Sequence, residues 1–220
     1  MTAGYQFDWT VLLRYKTELL TGLRMTVLLT LVGLVGSFVL GLIVGVGRTA
    51  RWAWLRWLAN AYSELFRNIL LVVQMFFWFF AFGLGSFSAA AVGLVCYSGA
   101  YISDIVRSGL KAVPREVGDA ASSVGLSSLQ VARLIRLPYA LLITIPPLTG
   151  EALNVLKNSS VATTVVVAEL TFQTHSINAY TFRGFEAATA VTLGYLGLSF
   201  VLVAGATVLQ RRLVLPRGLA

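Results

Sequence analysis

Long charge-free runs separated by short basic clusters dominate the chain. Met25–Gly47 carries no charge over 23 residues, and Ala187–Gln210 carries none over 24. Each exceeds the ~20 apolar residues that cover a hydrocarbon core of ~30 Å, so they predict the first and last membrane-spanning helices. Between them, Ile69–Ser103 is uncharged over 35 residues. As one straight helix it would reach ~52 Å at ~1.5 Å per residue, too long for a single crossing. Gly83, Gly85 and Ser86 supply the break, which predicts a second span over Leu58–Phe82 and a third over Phe87–Leu110. A fourth span starts at Pro138 and is interrupted. Pro146 and Pro147 remove two backbone donors. Glu151, Asn154, Lys157, Asn158, Ser159 and Ser160 follow before the apolar run Val161–Ala168.

The pattern predicts an all-α fold, an integral membrane helical bundle of five transmembrane helices. Residues 1–24 mix Trp9, Leu12 and Leu13 with Arg14, Lys16 and Arg24, which reads as a short interfacial helix leading into the membrane. Residues 25–213 form the transmembrane domain, 169–186 a polar connection and 214–220 a tail. On the first span, Gly41 and Gly45 are a small-xxx-small pair that lets another helix approach closely.

Composition supports this and removes other classes. The chain is 57% hydrophobic and 12% charged, with mean hydropathy +0.80, which excludes a soluble domain. The net charge of +8 sits between spans rather than on one patch, so topology explains it and nucleic acid does not. Placing the N-terminus outside puts eleven Lys and Arg residues on the cytoplasmic side: Arg48, Arg51, Arg56, Arg107, Lys111, Arg115, Arg133, Arg136, Arg211, Arg212 and Arg217. Only Arg14, Lys16, Arg24 and Arg183 then face outward, which satisfies the positive-inside rule. Trp52, Trp54 and Trp57 are interface anchors in this reading. Cys96 is the only cysteine and His175 the only histidine, so the sequence offers no disulfide, haem or metal constellation. It has no catalytic triad and no Gly-rich phosphate loop, so any ATP-driven step needs a partner.

Two sets of polar residues within the spans are candidates for chemistry. Glu64 and Arg67 lie three residues apart on one helix face, as a structural ion pair or as contacts to a substrate or gating partner. Glu151, Asn154, Lys157 and Asn158 recur at spacings that place them broadly on one face. They either line a path for an ionic solute or form interhelical hydrogen-bonding glue.

The stretch Asp119–Pro138, DAASSVGLSSLQVARLIRLP, resembles the "EAA" loop of the membrane subunits of bacterial ABC importers, E-A-A-x3-G-x9-I-x-L-P. Asp119, Ala120, Ala121, Gly125, Ile135, Leu137 and Pro138 fall in register, with Asp for Glu at the first position. The segment Tyr62–Phe80 is similar to the second-helix motif of polar-amino-acid permeases through Glu64, Phe66, Arg67 and Gln74. Leu70 stands where that family usually has proline. Ala100–Pro114 is similar to the family's A-Y-x-x-E-I-x-R-x-G-I, with Asp104 for Glu. PPLTGEALNVLKNSSVA resembles the fourth-helix segment of permeases for acidic and other polar amino acids.

The resemblance implies an ABC transporter type-1 transmembrane domain with a cytoplasmic coupling loop at 115–138, whose short helix docks on an ATPase subunit. It implies a multi-pass permease of the bacterial inner membrane. Its partners would be two ATPase subunits carrying ATP and Mg, a second permease subunit, an extracytoplasmic binding protein and membrane lipid. It casts Glu64, Arg67, Gln74, Glu151, Asn154, Lys157, Asn158, Ser159 and Ser160 as substrate-path residues and leans towards glutamate or aspartate as cargo. The alternative is an oligomeric channel or proton-coupled carrier with Glu64, Arg67, Glu151 and Lys157 as its intramembrane relay.

Overall fold

The computed structural model describes residues 7–112, 114, 116, 121, 123, 125–131, 134–135 and 137–214. Asp119 and Ala120 of the candidate coupling motif lie outside them, as do Arg115, Arg133, Arg136 and Arg217.

Among the described residues the chain is helical. A short α1 (Thr10–Arg14) precedes α2 (Lys16–Gly47), and α3 (Ala53–Asn68) turns into α4 (Leu71–Phe76), which continues as a π-helical turn over Phe77–Ala81. Then come α5 (Ser86–Lys111), α6 (Ser128–Val131) and α7 (Leu137–Asn158), the last extended by a 3-10 segment over Ser159–Val165. Helices α8 (Leu170–Thr181) and α9 (Gly184–Val214) complete the fold.

Three of these, α2, α5 and α9, are long and apolar enough to cross a membrane, and the α3–α4 pair makes a fourth if counted as one broken span. α7 falls outside that group, as its charges and prolines suggest. Within the segment expected to be interfacial over residues 1–24, α2 already begins at Lys16. The start of the chain is nonetheless fastened: Asp8 N–H donates to Glu186 Oε1 at 3.1 Å, and Phe7 meets Phe185 edge-on. The Thr10 hydroxyl and then its amide hydrogen-bond to Asp8, holding that carboxyl below its usual range.

Helix α5 is the hub, packing against α2, α3, α4 and α7. The small-residue stripe of α2 makes its closest seam: a Cβ added at Gly41 would meet Ile102 Cγ2 at 2.5 Å and Gly99 O at 2.9 Å. One at Gly45 would meet Val106 Cβ at 2.7 Å. The two backbones therefore touch where larger residues would hold them apart. Leu29, Met75, Leu94, Val155, Ala162 and Val165 form a buried core across α2, α4, α5, α7 and the 3-10 segment.

The predicted continuous second span is broken. α3 and α4 are bent by 104° at Ile69 and Leu70, both in extended backbone conformations. No proline makes this elbow. The Gln74 side chain donates from Nε2 to the carbonyls of Phe66 (2.8 Å) and Ile69 (2.9 Å), and Asn68 Nδ2 donates to Glu64 O. Carbonyls left open at the end of α3 are thereby satisfied within the protein. The predicted break at Gly83–Ser86 does occur, with Gly83 at φ +63°.

The polar connection expected at 169–186 is mostly the helix α8, which buries Leu170, Gln173 and Ile177 on one face. Before it, the 3-10 segment ends on Val166 at φ +62°, a left-handed conformation that a β-branched residue rarely adopts.

Candidate functional site

Between α5 and α7, the described residues close a helical turn at Gly125. Ala121 and Ser123 are helical, Gly125 has φ +89°, and Leu126 N–H donates to Ala121 O at 3.2 Å. A bond from the residue after a positive-φ glycine to the carbonyl five residues back is the Schellman closure of a helix C-terminus. Ser127 then caps α6: its N–H and hydroxyl both donate to Gln130 Oε1, and Gln130 N–H returns to Ser127 Oγ. Ala121 and Val131 are buried and Ile135 is half-buried. The backbone at Leu137 and Pro138 already belongs to α7.

On α7 the structure divides the predicted polar face. Glu151 is 6% exposed and turned inward with Val155 and Leu156, whereas Lys157 is exposed. The cause is helical geometry. Each three-residue step lags the starting direction by about 60°, so two steps carry Lys157 about 120° away from Glu151. Asn154 stays with the glutamate, donating from Nδ2 to Glu151 Oε2 at 3.1 Å. Glu151 Oε1 is buried without a hydrogen-bond partner, as is the Ser98 hydroxyl on α5. Asn158 is half-buried. The Ser159 and Ser160 hydroxyls donate to the carbonyls of Leu156 and Lys157 three residues back, which stabilises the change from α to 3-10 geometry. A groove of about 270 Å³ runs between α5 and α7, lined by Asp104, Ser108, Ile143, Thr144 and Pro147 among others.

The predicted Glu64–Arg67 ion pair does not form. Arg67 pairs with Asp104 on α5 and lies over the Tyr101 ring at 5.2 Å, while Glu64 is exposed. Asp104 also pairs with Arg48, so one carboxylate bridges two guanidinium groups. Arg48 follows the last residue of α2 and is 3% exposed. It donates further to Asn60 Oδ1 (2.9 Å), Ser63 Oγ (2.9 Å) and Ser103 Oγ (3.1 Å). The sequence places Arg48 in an exposed basic connection. Its burial follows from partners up to 56 residues away, which no local pattern reveals. Gln74, expected on the substrate path, donates from Nε2 at the α3–α4 elbow.

A second buried carboxylate escaped the sequence reading. Glu169 is 0% exposed and accepts four hydrogen bonds. Thr163 Oγ1 (3.0 Å) and Phe172 N–H (2.9 Å) reach Oε1; Thr171 N–H (2.8 Å) and Tyr195 O–H (2.6 Å) reach Oε2. Leu170 N–H donates to Thr26 Oγ1 on α2. The N-terminus of α8 is thus fully satisfied. The available signal was the acidic residue directly before Leu170, Gln173 and Ile177 at helical spacing.

Comparison with known proteins places this arrangement. The sequence model of the family described as "Binding-protein-dependent transport system inner membrane component" matches residues 37–215. The chain is 36% identical over 197 residues to the probable glutamine ABC transporter permease protein GlnM of Bacillus subtilis, covering 87% of this chain and 91% of the relative. It is 28% identical over 214 residues to the glutamate/aspartate import permease protein GltJ of Escherichia coli, covering 89% and 87%. Among solved structures, a chain of an amino acid ABC transporter crystallised with histidines superposes with TM-score 0.86 at 26% identity, covering 94% of this chain and all of that one.

Proposed function

Because the chain belongs to the family of binding-protein-dependent transport system inner membrane components, we propose that it is the permease subunit of an ATP-driven importer for a polar amino acid. The family and the membrane-spanning helices make it an amino-acid ABC transporter permease. The cargo, the partners and the orientation are the proposal. Its N-terminus faces outward, which puts the Asp119–Pro138 segment in the cytoplasm under the positive-inside rule.

The observation that carries the reading is the Schellman closure at Gly125, in register with the importer coupling motif. A short helix with a fixed end is what an ATPase surface can grip and push. Two ATPase subunits, each bound to one permease subunit, draw the coupling helices together on ATP and rock the bundles towards the outward-open state. A binding protein delivers the amino acid there, and hydrolysis returns the bundles to inward-open. Relatives named for glutamine and for glutamate/aspartate bracket the cargo class. Lys157 offers a cation to a carboxylate, and the Glu151–Asn154 pair offers acceptors to an ammonium group.

The test is ATP-dependent uptake into vesicles containing the permease, its ATPase and the binding protein. Labelled glutamine is the probe, competed by glutamate, aspartate, arginine or histidine. Uptake requires ATP and the binding protein; uptake that persists without the ATPase refutes the proposal. Gly125→Val forces a β-branched residue to φ +89°, which costs about 1–3 kcal/mol. It should leave the ATPase bound but lower the amount transported per ATP hydrolysed.

A further inference from the structure

Helix α3 differs from α2 and α9, whose central runs carry no charge. Trp54, Leu58, Ala61 and Leu65 are all exposed and recur at i, i+4, i+7 and i+11, forming one apolar stripe. Arg56, Asn60, Glu64 and Arg67 form a polar stripe beside it, and Ala59 and Ser63 face the protein.

Length excludes a simple crossing. At ~1.5 Å per residue, α3 is about 24 Å long and the α4 unit to Ala81 about 16 Å. Bent by 104°, the two reach about 26 Å end to end rather than the ~40 Å of a straight pair. Neither arm alone, nor the bent pair, covers a ~30 Å core as a straight helix does. α4 packs Leu71 and Met75 into the core beside Ala90, Ala91 and Leu94, whereas α3 lies by the Gly47 end of α2, where Ala59 and Leu55 approach that glycine.

We propose that α3 lies in the plane of the membrane within the interface of one leaflet, with its Trp54–Leu65 stripe in the acyl boundary and Arg51 and Arg56 on anionic phospholipid headgroups. Charge favours this occupant. The sequence Arg51-Trp52-Ala53-Trp54-Leu55-Arg56-Trp57 alternates exposed tryptophans with arginines. Tryptophan prefers the headgroup level, and arginine is drawn to an anionic surface. The Arg56 side chain donates to Ala50 O at 3.3 Å. Continuity favours it too, because Ile43 and Val46 of α2 are exposed at the same end. Assignment to the cytoplasmic leaflet rests on the orientation proposed above; the in-plane geometry does not.

The complex with its ATPase is reconstituted in phosphatidylglycerol/phosphatidylcholine vesicles, with one spin label at a time introduced through W54C, L58C, A61C or L65C in a C96S background. Depth is read from collisions with oxygen and a nickel chelate. An in-plane helix gives all four sites the same depth, near the headgroup boundary. A spanning helix gives a steady change of about 16 Å from position 54 to 65, which overturns the proposal. Labels shielded from both reagents also overturn it, because protein then covers the stripe. Any variant that fails to assemble is omitted, since any two sites separate the depth profiles. Phosphatidylglycerol should raise the melting temperature of the wild-type complex over phosphatidylcholine alone, and R51Q/R56Q should lose that gain. An equal gain in both refutes the anionic contact. A membrane-impermeant thiol reagent against N60C, added inside or outside, reads the leaflet separately, so a wrong orientation is told apart from a wrong geometry.

Discussion

The carboxylate of Glu169 is fully buried, and its removal has a calculable cost. Its two oxygens accept four hydrogen bonds, two of them from backbone N–H groups at the start of α8. In Glu169→Gln one oxygen becomes an NH2 group. Tyr195 can turn its hydroxyl towards Thr171 Oγ1, 3.3 Å away, and Thr163 can rotate its own. The backbone N–H of Thr171 or Phe172 cannot turn. Whichever way the amide faces, one buried N–H meets another donor, which costs about 1–3 kcal/mol. For a chain of this size, where 1 kcal/mol moves the transition by about 2–4 °C, about 2 kcal/mol predicts a fall of about 4–8 °C. Glu169→Ala strands all four donors and should cost more, about 4 kcal/mol. Thermal unfolding of the purified permease complex measures both. A cycle with Tyr195→Phe should show a coupling of about 0.5–3 kcal/mol. If Glu169→Gln melts with the wild type and the cycle is additive, the capping argument is wrong.

Asp104→Asn leaves Arg48, 3% exposed, without its buried counter-charge. The expected cost is about 3 kcal/mol, at the low end of the range for a broken buried pair because the Asp104 side chain is 28% exposed. Melting should fall by about 6–12 °C, and Arg48→Met combined with Asp104→Leu should recover part of it. On α7, Lys157→Met should raise the KM for uptake with assembly unchanged, while Ser160→Ala, whose hydroxyl donates to Lys157 O, should leave KM alone. Competition kinetics with the reconstituted importer separate the two, and loss of assembly in Lys157→Met would favour the interhelical-glue reading instead.

Features that depend on neighbours in sequence were readable in advance. The charge-free runs locate α2, α5 and α9, the glycine pair at 41 and 45 marks the seam with α5, and the positive φ at Gly125 falls where the coupling motif has its glycine. Features that depend on distant partners were not. Arg48 belongs to a basic cluster by sequence, and Asn60, Ser63, Ser103 and Asp104 draw it inward. The elbow at Ile69 and Leu70 was unreadable for another reason. Proline is the usual mark of such a bend, whereas here a glutamine four residues after Leu70 supplies the missing donors through its side chain.

The same contacts narrow which polar residues remain available to a substrate. A polar group at membrane depth must be satisfied by the protein if water does not reach it. Gln74, Ser159 and Ser160 each give donors to backbone carbonyls, Arg67 is paired with Asp104, and the Asn154 amide is on Glu151. Those five serve shape first. Among the described residues, Lys157 and Glu64 are the two candidates that are exposed and whose charged side-chain groups make no hydrogen bond or ion pair inside the chain. Glu151 is a further candidate, with one carboxyl oxygen still open beside Ser98. Under the proposed function, a zwitterionic amino acid needs one cation and one anion held apart, and Lys157 and Glu151 are the pair that α7 would offer it, about 120° apart around its axis. The separation that divided the predicted polar face is therefore compatible with recognition. The two residues address different sides of α7, so in that proposal a solute meeting both sits at the edge of the helix rather than across its face.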